Sequence, residues 1–267
     1  MSTATAPAKA RAAIGERTLR KDNWRRYPIV TLVVFSTWLA YGLVRVLMGA
    51  DFYVEQYHYL TPFYSPCVNV ECGEAAMFGT FLPAATPFFI PFAALSMPVL
   101  LLFRLSCYYY RKAYYRAYWA SPPACGVREP HKSYTGERRF PLISQNLHRY
   151  TWVAAFIVSV INTWDVIEAF HGKDGGFGIG LGTVILFINL ILLWAYTMSC
   201  HSCRHIVGGR LKNFSKHPVR YWAWMQVSKL NQRHGQFALI TLGSLVIADL
   251  YVALLAHGTF SDVRIFN

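Results

Sequence analysis

An uncharged run from Gly180 to Met198, GLGTVILFINLILLWAYTM, constrains the fold of this chain more than any other stretch. A helix of about 20 apolar residues is long enough to cross the hydrocarbon core of a bilayer. The seven residues that follow, Ser199 to His205, include two cysteines, two histidines and an arginine. Thiolates and imidazoles are ligands for zinc, copper and iron–sulfur clusters. The sequence therefore predicts a membrane helix that carries metal ligands where it leaves the bilayer.

The whole chain has the composition of a membrane protein. Only 15% of its 267 residues are charged and its mean hydropathy is +0.27, whereas about a quarter of the residues in soluble domains are charged. We predict an all-α fold, an integral membrane bundle of five transmembrane helices, with spans at about 28–49, 82–107, 148–170, 180–202 and 235–257. A basic tail, 1–27, precedes this transmembrane domain, 28–257, and a short tail, 258–267, follows it.

The distribution of positive charge predicts the orientation. Of the 26 Lys and Arg residues, 23 lie in the N-terminal segment and in the two loops 104–149 and 204–233. Cytoplasmic loops of membrane proteins carry this excess, so we predict a multi-pass plasma-membrane protein with a cytoplasmic N-terminus and an outer C-terminal tail. A net charge of +13 is typical of nucleic-acid binding in a soluble protein, but these charges lie flush with the membrane lipid. The basic aromatic stretch 108–119 is better suited to docking a soluble protein partner.

Four predicted helix ends bring metal ligands to one membrane depth, at Cys107, His148, 200–205 and His234. Helix bundles build cofactor sites from side chains on facing helices. Two cysteines three residues apart on a continuing helix share roughly one face. We therefore predict the thiolate ligands Cys200 and Cys203 and the imidazole ligands His148 and His234, with His205 and His201 as reserves and Arg204 as a donor to sulfur.

Three kinds of centre fit these ligands. Two thiolates and two imidazoles make a Rieske-type [2Fe–2S] cluster. Two facing histidines could instead hold a b-type haem, with the cysteines as bystanders. A structural zinc ion takes the same Cys2His2 set, and it would belong to a membrane scaffold without redox chemistry.

Ionisable residues also lie in the outer part of three spans, at Arg45, Asp165 and Asp249. Such residues are costly in a membrane and usually pair with one another or serve a proton or substrate path. We predict either a structural bridge from Arg45 to one or both aspartates or a proton path that serves a quinone. Cys67 and Cys72 fall on the outer side, where an oxidising compartment permits a disulfide.

Four segments resemble the single membrane-anchor, cytochrome b-like subunit of actinobacterial succinate dehydrogenase (respiratory complex II), namely RLSCYYYRKAYYRAYWASPPAC, YTGERRFPLISQNLHRY, SCHSCRH and FSKHPVRYWAWMQVSKLNQRH. The resemblance runs from about the first span to the C-terminus, excluding the tail. It implies a five-span subunit that docks to a flavoprotein and an iron–sulfur subunit on the cytoplasmic face. Electrons from succinate would pass through the iron–sulfur subunit to quinone, menaquinone in actinobacteria, and the anchor alone would have no catalytic activity.

The resemblance also bears on the cofactor. Better-known anchors of this superfamily hold haem b between histidines inside their spans, but the first two predicted spans here contain no histidine. The actinobacterial class implies a membrane-embedded Rieske-type cluster instead, in agreement with the cysteines and histidines above. Haem b and structural zinc remain the alternatives. No set of residues in the sequence identifies the quinone pocket.

Overall fold

The structure, a computed structural model, describes residues 13, 21–81, 97–110, 115–121, 123–128, 130 and 142–267. It is mostly helical, with helices α1 (Arg26–Met48), α2 (Met97–Ser106), α3 (His148–Glu168), α4 (Leu181–Met198), α5 (His201–Gly208), α6 (Pro218–Gln232) and α7 (His234–Ala256). Four of them, α1, α3, α4 and α7, are long and apolar enough to cross a membrane. These four helices coincide with four of the five predicted spans.

The fifth span stays a prediction. Its first part, 82–96, lies outside the described residues, and the ten-residue helix α2 covers the remainder up to Ser106. Helix α2 is apolar and packs against α3. The predicted basic tail lies mostly outside the described residues as well, since α1 begins at Arg26.

The exterior of the bundle is apolar and its interior contains polar side chains, which is the reverse of a water-soluble protein. Large apolar side chains such as Leu43 and Ile247 are exposed, whereas polar side chains face neighbouring helices. The most extensive packing is between α4 and α7, where the Ser244 hydroxyl donates to the Asn189 side-chain oxygen at 2.9 Å. Between α4 and α3, the Trp194 indole donates to Thr163 at 3.0 Å. Interhelical hydrogen bonds of this kind hold membrane helices together.

One end of the bundle carries an ordered cap, which we call the disulfide end. Strands β1 (Tyr53–Val54) and β2 (Tyr59–Leu60) form a small antiparallel pair, followed by two short 3-10 helices. A disulfide joins Cys67 to Cys72 in this segment. The sequence allowed for this bond, because both cysteines fall on the predicted outer side. Strands β3 (Ile179–Gly180) and β4 (Arg264–Phe266) also pair, so the predicted tail 258–267 is part of the cap.

The helix that contains the uncharged run ends earlier than predicted. Helix α4 stops at Met198 instead of continuing to residue 202, and Cys200 has an extended backbone (φ −63°, ψ 145°) before α5 begins at His201. The Asn231 side chain donates to the Ser199 carbonyl at 2.7 Å, which satisfies one of the carbonyls that a helix C-terminus leaves free. The prediction that Cys200 and Cys203 share one face of a continuous helix is therefore wrong. The segment 204–233, predicted as a loop, contains most of α5 and all of α6.

Candidate metal centre

His148 lies between two serine–cysteine pairs at the end of the bundle opposite the disulfide. It is the first residue of α3, and its Nε2 lies 3.0 Å from the Cys200 sulfur. Its Nδ1 lies 3.0 Å from the hydroxyl oxygen of Ser106, the last residue of α2. The imidazole therefore joins the ends of α2 and α4.

His234 makes the complementary pair of contacts. It is the first residue of α7, and its Nε2 lies 3.3 Å from the Cys107 sulfur while its Nδ1 lies 2.7 Å from the Ser199 hydroxyl. Each histidine thus contacts the sulfur of one Ser–Cys dipeptide and the hydroxyl of the other. We call Cys107, Cys200, His148 and His234, with Ser106 and Ser199, the thiol–imidazole site.

Aromatic rings enclose this site and fix the planes of its imidazoles. The Phe103 ring stacks on His148 at 5.1 Å between centroids, with an interplanar angle of 4°. The Tyr196 ring stacks on His234 at 5.0 Å and 9°. Both sulfurs belong to buried residues. The donor atoms are therefore oriented by packing before any ligand binds.

Arg104 lies below the site with its charge enclosed by the bundle. Its guanidinium donates to the Ala238 carbonyl and to Thr241, both at 3.3 Å, and lies 4.8 Å from the centroid of the Tyr196 ring. It also lies 5.3 Å from the centroid of the Trp38 ring. Among the described residues, no carboxylate forms an ion pair with it. A buried cation without an acidic partner favours negative charge in its surroundings.

Two large cavities meet at the thiol–imidazole site. The central cavity, of about 650 Å³, is lined by all four candidate donors, Cys107, Cys200, His148 and His234. The lateral cavity, of about 660 Å³, lies on the other side of His148 and is lined by polar Gln145 and Arg149 together with apolar Val153 and Ile206. His148, His201 and Tyr108 line both cavities, so a molecule in either one would lie beside the same two imidazoles.

The other predicted ligands lie apart from these contacts. Cys203 is buried, and burial raises the pKa of its thiol to about 11, but the sulfurs that the two histidines contact are those of Cys107 and Cys200. His201 and His205 are exposed on α5 and stack on each other with centroids 6.2 Å apart. The predicted donation to sulfur does not form here, because Arg204 donates to the Ser228 hydroxyl at 3.0 Å and lies over the Trp224 ring.

The ligand prediction missed the sulfur partner of His234 and the two serines. The sequence carries a signal for them: the dipeptide Ser-Cys occurs at 106–107, 199–200 and 202–203, and the first two of these directly follow apolar runs. Within the described part of the chain, no group of three or more Cys, His, Asp or Glu side chains could hold a metal ion. The donors form two thiol–imidazole pairs at the edge of one cavity instead.

The charged residues of the spans lie towards the disulfide end. Arg45 donates to Asp249 at 2.7 Å in a buried ion pair, which Tyr41 completes with a hydrogen bond to the same carboxylate oxygen. The predicted bridge is therefore present for one of the two aspartates. Asp165 accepts a hydrogen bond from the Ser65 hydroxyl instead.

Comparisons with known proteins assign the chain to a family. A search of the curated proteins gives no match. Among solved structures, the chain is similar to one from the Mycobacterium smegmatis Sdh1 complex in the apo form, with 57% sequence identity and a TM-score of 0.87. That match covers 97% of this chain and 98% of the other. The family described as actinobacterial succinate dehydrogenase subunit SdhC matches residues 26–258. The chain therefore belongs to the actinobacterial SdhC family, the membrane-anchor subunit of succinate dehydrogenase.

Proposed function

We propose that this subunit carries electrons from an iron–sulfur subunit to quinone through a Rieske-type [2Fe–2S] cluster held at the thiol–imidazole site. The observation that carries the proposal is that two thiols and two imidazoles, supplied by four separate segments, line one cavity. The proposed ligands are Cys107, Cys200, His148 and His234. This set keeps three of the four residues predicted from the sequence and replaces Cys203 with Cys107.

The arrangement of the donors suits a binuclear centre better than a single ion. A Rieske cluster takes two cysteines on one iron and two histidines on the other, so the cysteine and the histidine of each contact pair would bind different irons of the same cluster. A cluster bound there would accept and release one electron at a time. The chain supplies imidazoles whose Nδ1 atoms are fixed by Ser106 and Ser199, and outer partners of this kind orient metal ligands. A single zinc ion would need all four donors to converge on one point.

We further propose that the thiol–imidazole end faces the cytoplasm and that the disulfide end faces the outside. The excess of Lys and Arg at the first end and the disulfide at the second both support this orientation. The flavoprotein and iron–sulfur subunits would then dock on the cytoplasmic face. Exposed apolar side chains on α6, among them Val219 and Trp222, supply a surface for such a contact.

The lateral cavity is the proposed site of the quinone head group. A quinone needs an apolar wall for its ring and tail and hydrogen-bond donors for its two oxygens. Val153 and Ile206 supply the first, and Gln145 and Arg149 supply the second. Because His148 lines both cavities, an electron would travel only a short distance from the thiol–imidazole site to the ring. The substrate would be menaquinone, as the actinobacterial family implies.

Low-temperature EPR of the complete complex, reduced with dithionite, tests this ligand set. We expect a rhombic Rieske-type signal in the wild type and its loss in Cys107→Ser, Cys200→Ser and His234→Ala variants. Cys203→Ser is the matched control and should keep the signal, because neither histidine contacts that sulfur. If Cys203→Ser abolishes the signal and Cys107→Ser retains it, the ligand set predicted from the sequence is correct.

Two other results would overturn the proposal that this site holds a Rieske-type cluster. A reduced haem α-band without a Rieske-type signal would favour the haem b anchor. Quinone reduction by a complex that shows neither signature would mean that the anchor works without a redox centre of its own.

A further inference from the structure

A cavity of about 330 Å³ lies where α5 ends and packs against α6. Five of its nine lining residues are basic or imidazole side chains, and none is acidic. We call this cavity the basic pocket and define it by those five residues, His201, Arg204, His205, Arg210 and Lys212. The surrounding sequence supplies no acidic neighbour either, because no Asp or Glu occurs between Asp174 and Asp249. The basic pocket therefore attracts anions.

Packing fixes the Arg204 guanidinium at one wall of the basic pocket. Its Nε donates to the Ser228 hydroxyl at 3.0 Å, and its carbon lies 5.1 Å from the centroid of the Trp224 ring. The Trp224 ring comes this close because residue 208 is a glycine, where a Cβ atom would overlap the indole. Among the described residues, no carboxylate forms an ion pair with Arg204. A guanidinium that is oriented but has no acidic partner is well suited to bind phosphate.

The C-terminus of α5 would by itself oppose an anion, because the last carbonyls of a helix carry partial negative charge. Arg220 of α6 covers these carbonyls. Its guanidinium donates to the Val207 carbonyl at 2.6 Å, to the Ile206 carbonyl at 3.4 Å and to the Gly209 carbonyl. A full positive charge therefore offsets the partial negative charge at this end of the basic pocket.

The basic pocket lies where the bundle meets the membrane surface. His201 is only three residues beyond Met198, the last residue of the membrane helix α4. The Trp224 ring stacks on Phe214 with centroids 6.3 Å apart, and tryptophan is enriched at the headgroup level of membranes. Phe214 and Ile206 are 51% and 53% exposed and supply apolar surface close to the basic side chains. These neighbours suit a phosphate attached to acyl chains better than a free phosphate ion.

The surface proposed above for subunit docking lies on another side of α6. Trp222 precedes Trp224 by two residues, which is a rotation of about 200° on an α-helix. Trp224 lines the basic pocket, so Trp222, which is 63% exposed, points away from it. Soluble subunits that dock on Trp222 therefore need not cover the basic pocket.

We propose that the basic pocket binds the phosphate group of an anionic membrane phospholipid, with Arg204, Arg210 and Lys212 as the cations that hold it. Lys and Arg clusters at the ends of membrane helices recognise anionic headgroups in this way. His201 and His205 line both the basic pocket and the lateral cavity, so the bound headgroup would lie next to the proposed quinone site. The proposal does not depend on which redox centre the subunit carries.

Native mass spectrometry of the complete complex in detergent tests this assignment. Short-chain phosphatidylglycerol is titrated into the lipid-depleted complex, phosphatidylcholine with the same chains is titrated in parallel, and inorganic phosphate is added as a competitor. We expect one tightly bound phosphatidylglycerol per copy of this subunit and weaker binding of phosphatidylcholine. The double substitution Arg210→Gln and Lys212→Gln should weaken the binding of phosphatidylglycerol about thirtyfold, because each cation near a membrane surface contributes about fivefold.

A matched control separates the basic pocket from the general positive charge of this end. Lys216→Gln with Lys229→Gln removes the same charge from exposed positions that do not line the basic pocket, and it should bind phosphatidylglycerol as the wild type does. Arg210 and Lys212 are exposed and, within the described ranges, their side chains form no ion pair. Both double variants should therefore unfold at the wild-type temperature in lipid-free detergent.

Four results would overturn the proposal. The first is equal affinity of the two double variants for phosphatidylglycerol, and the second is equal binding of phosphatidylglycerol and phosphatidylcholine by the wild type. Displacement of the lipid by an equal concentration of inorganic phosphate would assign the site to a soluble anion. Loss of the soluble subunits from the Arg210→Gln, Lys212→Gln complex alone would mean that the basic pocket holds acidic side chains of a protein partner.

Discussion

Replacing Arg104 with glutamine removes a full positive charge from beneath the thiol–imidazole site. The guanidinium carbon lies 4.8 Å from the centroid of the Tyr196 ring, and that ring lies 5.0 Å from the His234 ring. The charge is therefore at most about 10 Å from the His234 ring. Arg104 is 2% exposed, so solvent screens it little. Reduction of a centre at this site adds negative charge, which the cation stabilises.

The size of the effect follows from the distance. Two unit charges about 10 Å apart interact by roughly 1.7 kcal/mol at an effective dielectric constant of about 20. For a one-electron couple this energy corresponds to a shift of roughly 70 mV. Because the lost charge favoured the reduced state, the midpoint potential of the centre should fall by about that amount in Arg104→Gln.

An EPR-monitored redox titration of the purified complex measures this potential. The matched control is Arg104→Lys, which keeps a positive charge and should shift the midpoint much less. A midpoint unchanged in an assembled Arg104→Gln complex would refute the reasoning, because it would mean that the cation does not act on the centre. The hydrogen bond from Arg104 to the Ala238 carbonyl makes thermal stability a necessary second measurement.

Three further predictions concern the scaffold, each measured by thermal unfolding of the purified complex. Arg45→Met should destabilise the subunit by about 3–5 kcal/mol, because it leaves the buried Asp249 carboxylate without its cation. Adding Asp249→Leu should recover most of this loss, and a double variant less stable than the single one would contradict the argument. Removal of the disulfide, by changing both its cysteines to alanine, should cost about 2 kcal/mol, because the bridge closes a short loop; reducing agent should destabilise the wild type but not this variant. Gly182→Ala should destabilise the disulfide end, because its new methyl group would meet the Tyr59 ring. Gly243→Ala has open space and should be neutral or stabilising. Equal effects of the two substitutions on stability would show that the Tyr59 ring moves aside without cost.

The spans were predictable from the sequence because each depends on local composition. The run that forms α4 is uncharged over its full length, and no alternative to a membrane helix would bury it. The end of that helix was not predictable in the same way. It stops at Met198, and the Asn231 side chain, which comes from a distant part of the chain, donates to the Ser199 carbonyl.

Part of the candidate site was predictable from the sequence in the same way, and part was not. His148 and His234 were predicted to be central because they begin apolar runs, and in the structure His148 lies beside the Cys200 sulfur and His234 beside the Cys107 sulfur. The preference for Cys203 over Cys107 came from the assumption that the helix continues through residue 202. Once the chain turns at Cys200, spacing along the sequence no longer indicates which sulfur faces an imidazole, and the packing of α2 against its neighbours decides it.

In the thiol–imidazole site each histidine contacts the sulfur of one Ser–Cys dipeptide and the hydroxyl of the other. These contacts also set the order in which the subunit is assembled. The four side-chain contacts join residues that are between 35 and 127 positions apart in the sequence. No single helix or helical hairpin contains more than half of the site, so the site is not complete while the helices are still entering the membrane one by one. Contacts this distant in sequence form only after the intervening segments have packed. Any cofactor held there must therefore be inserted last, into a bundle that is already closed, and a variant that delays the docking of one helix would yield a complete subunit without it.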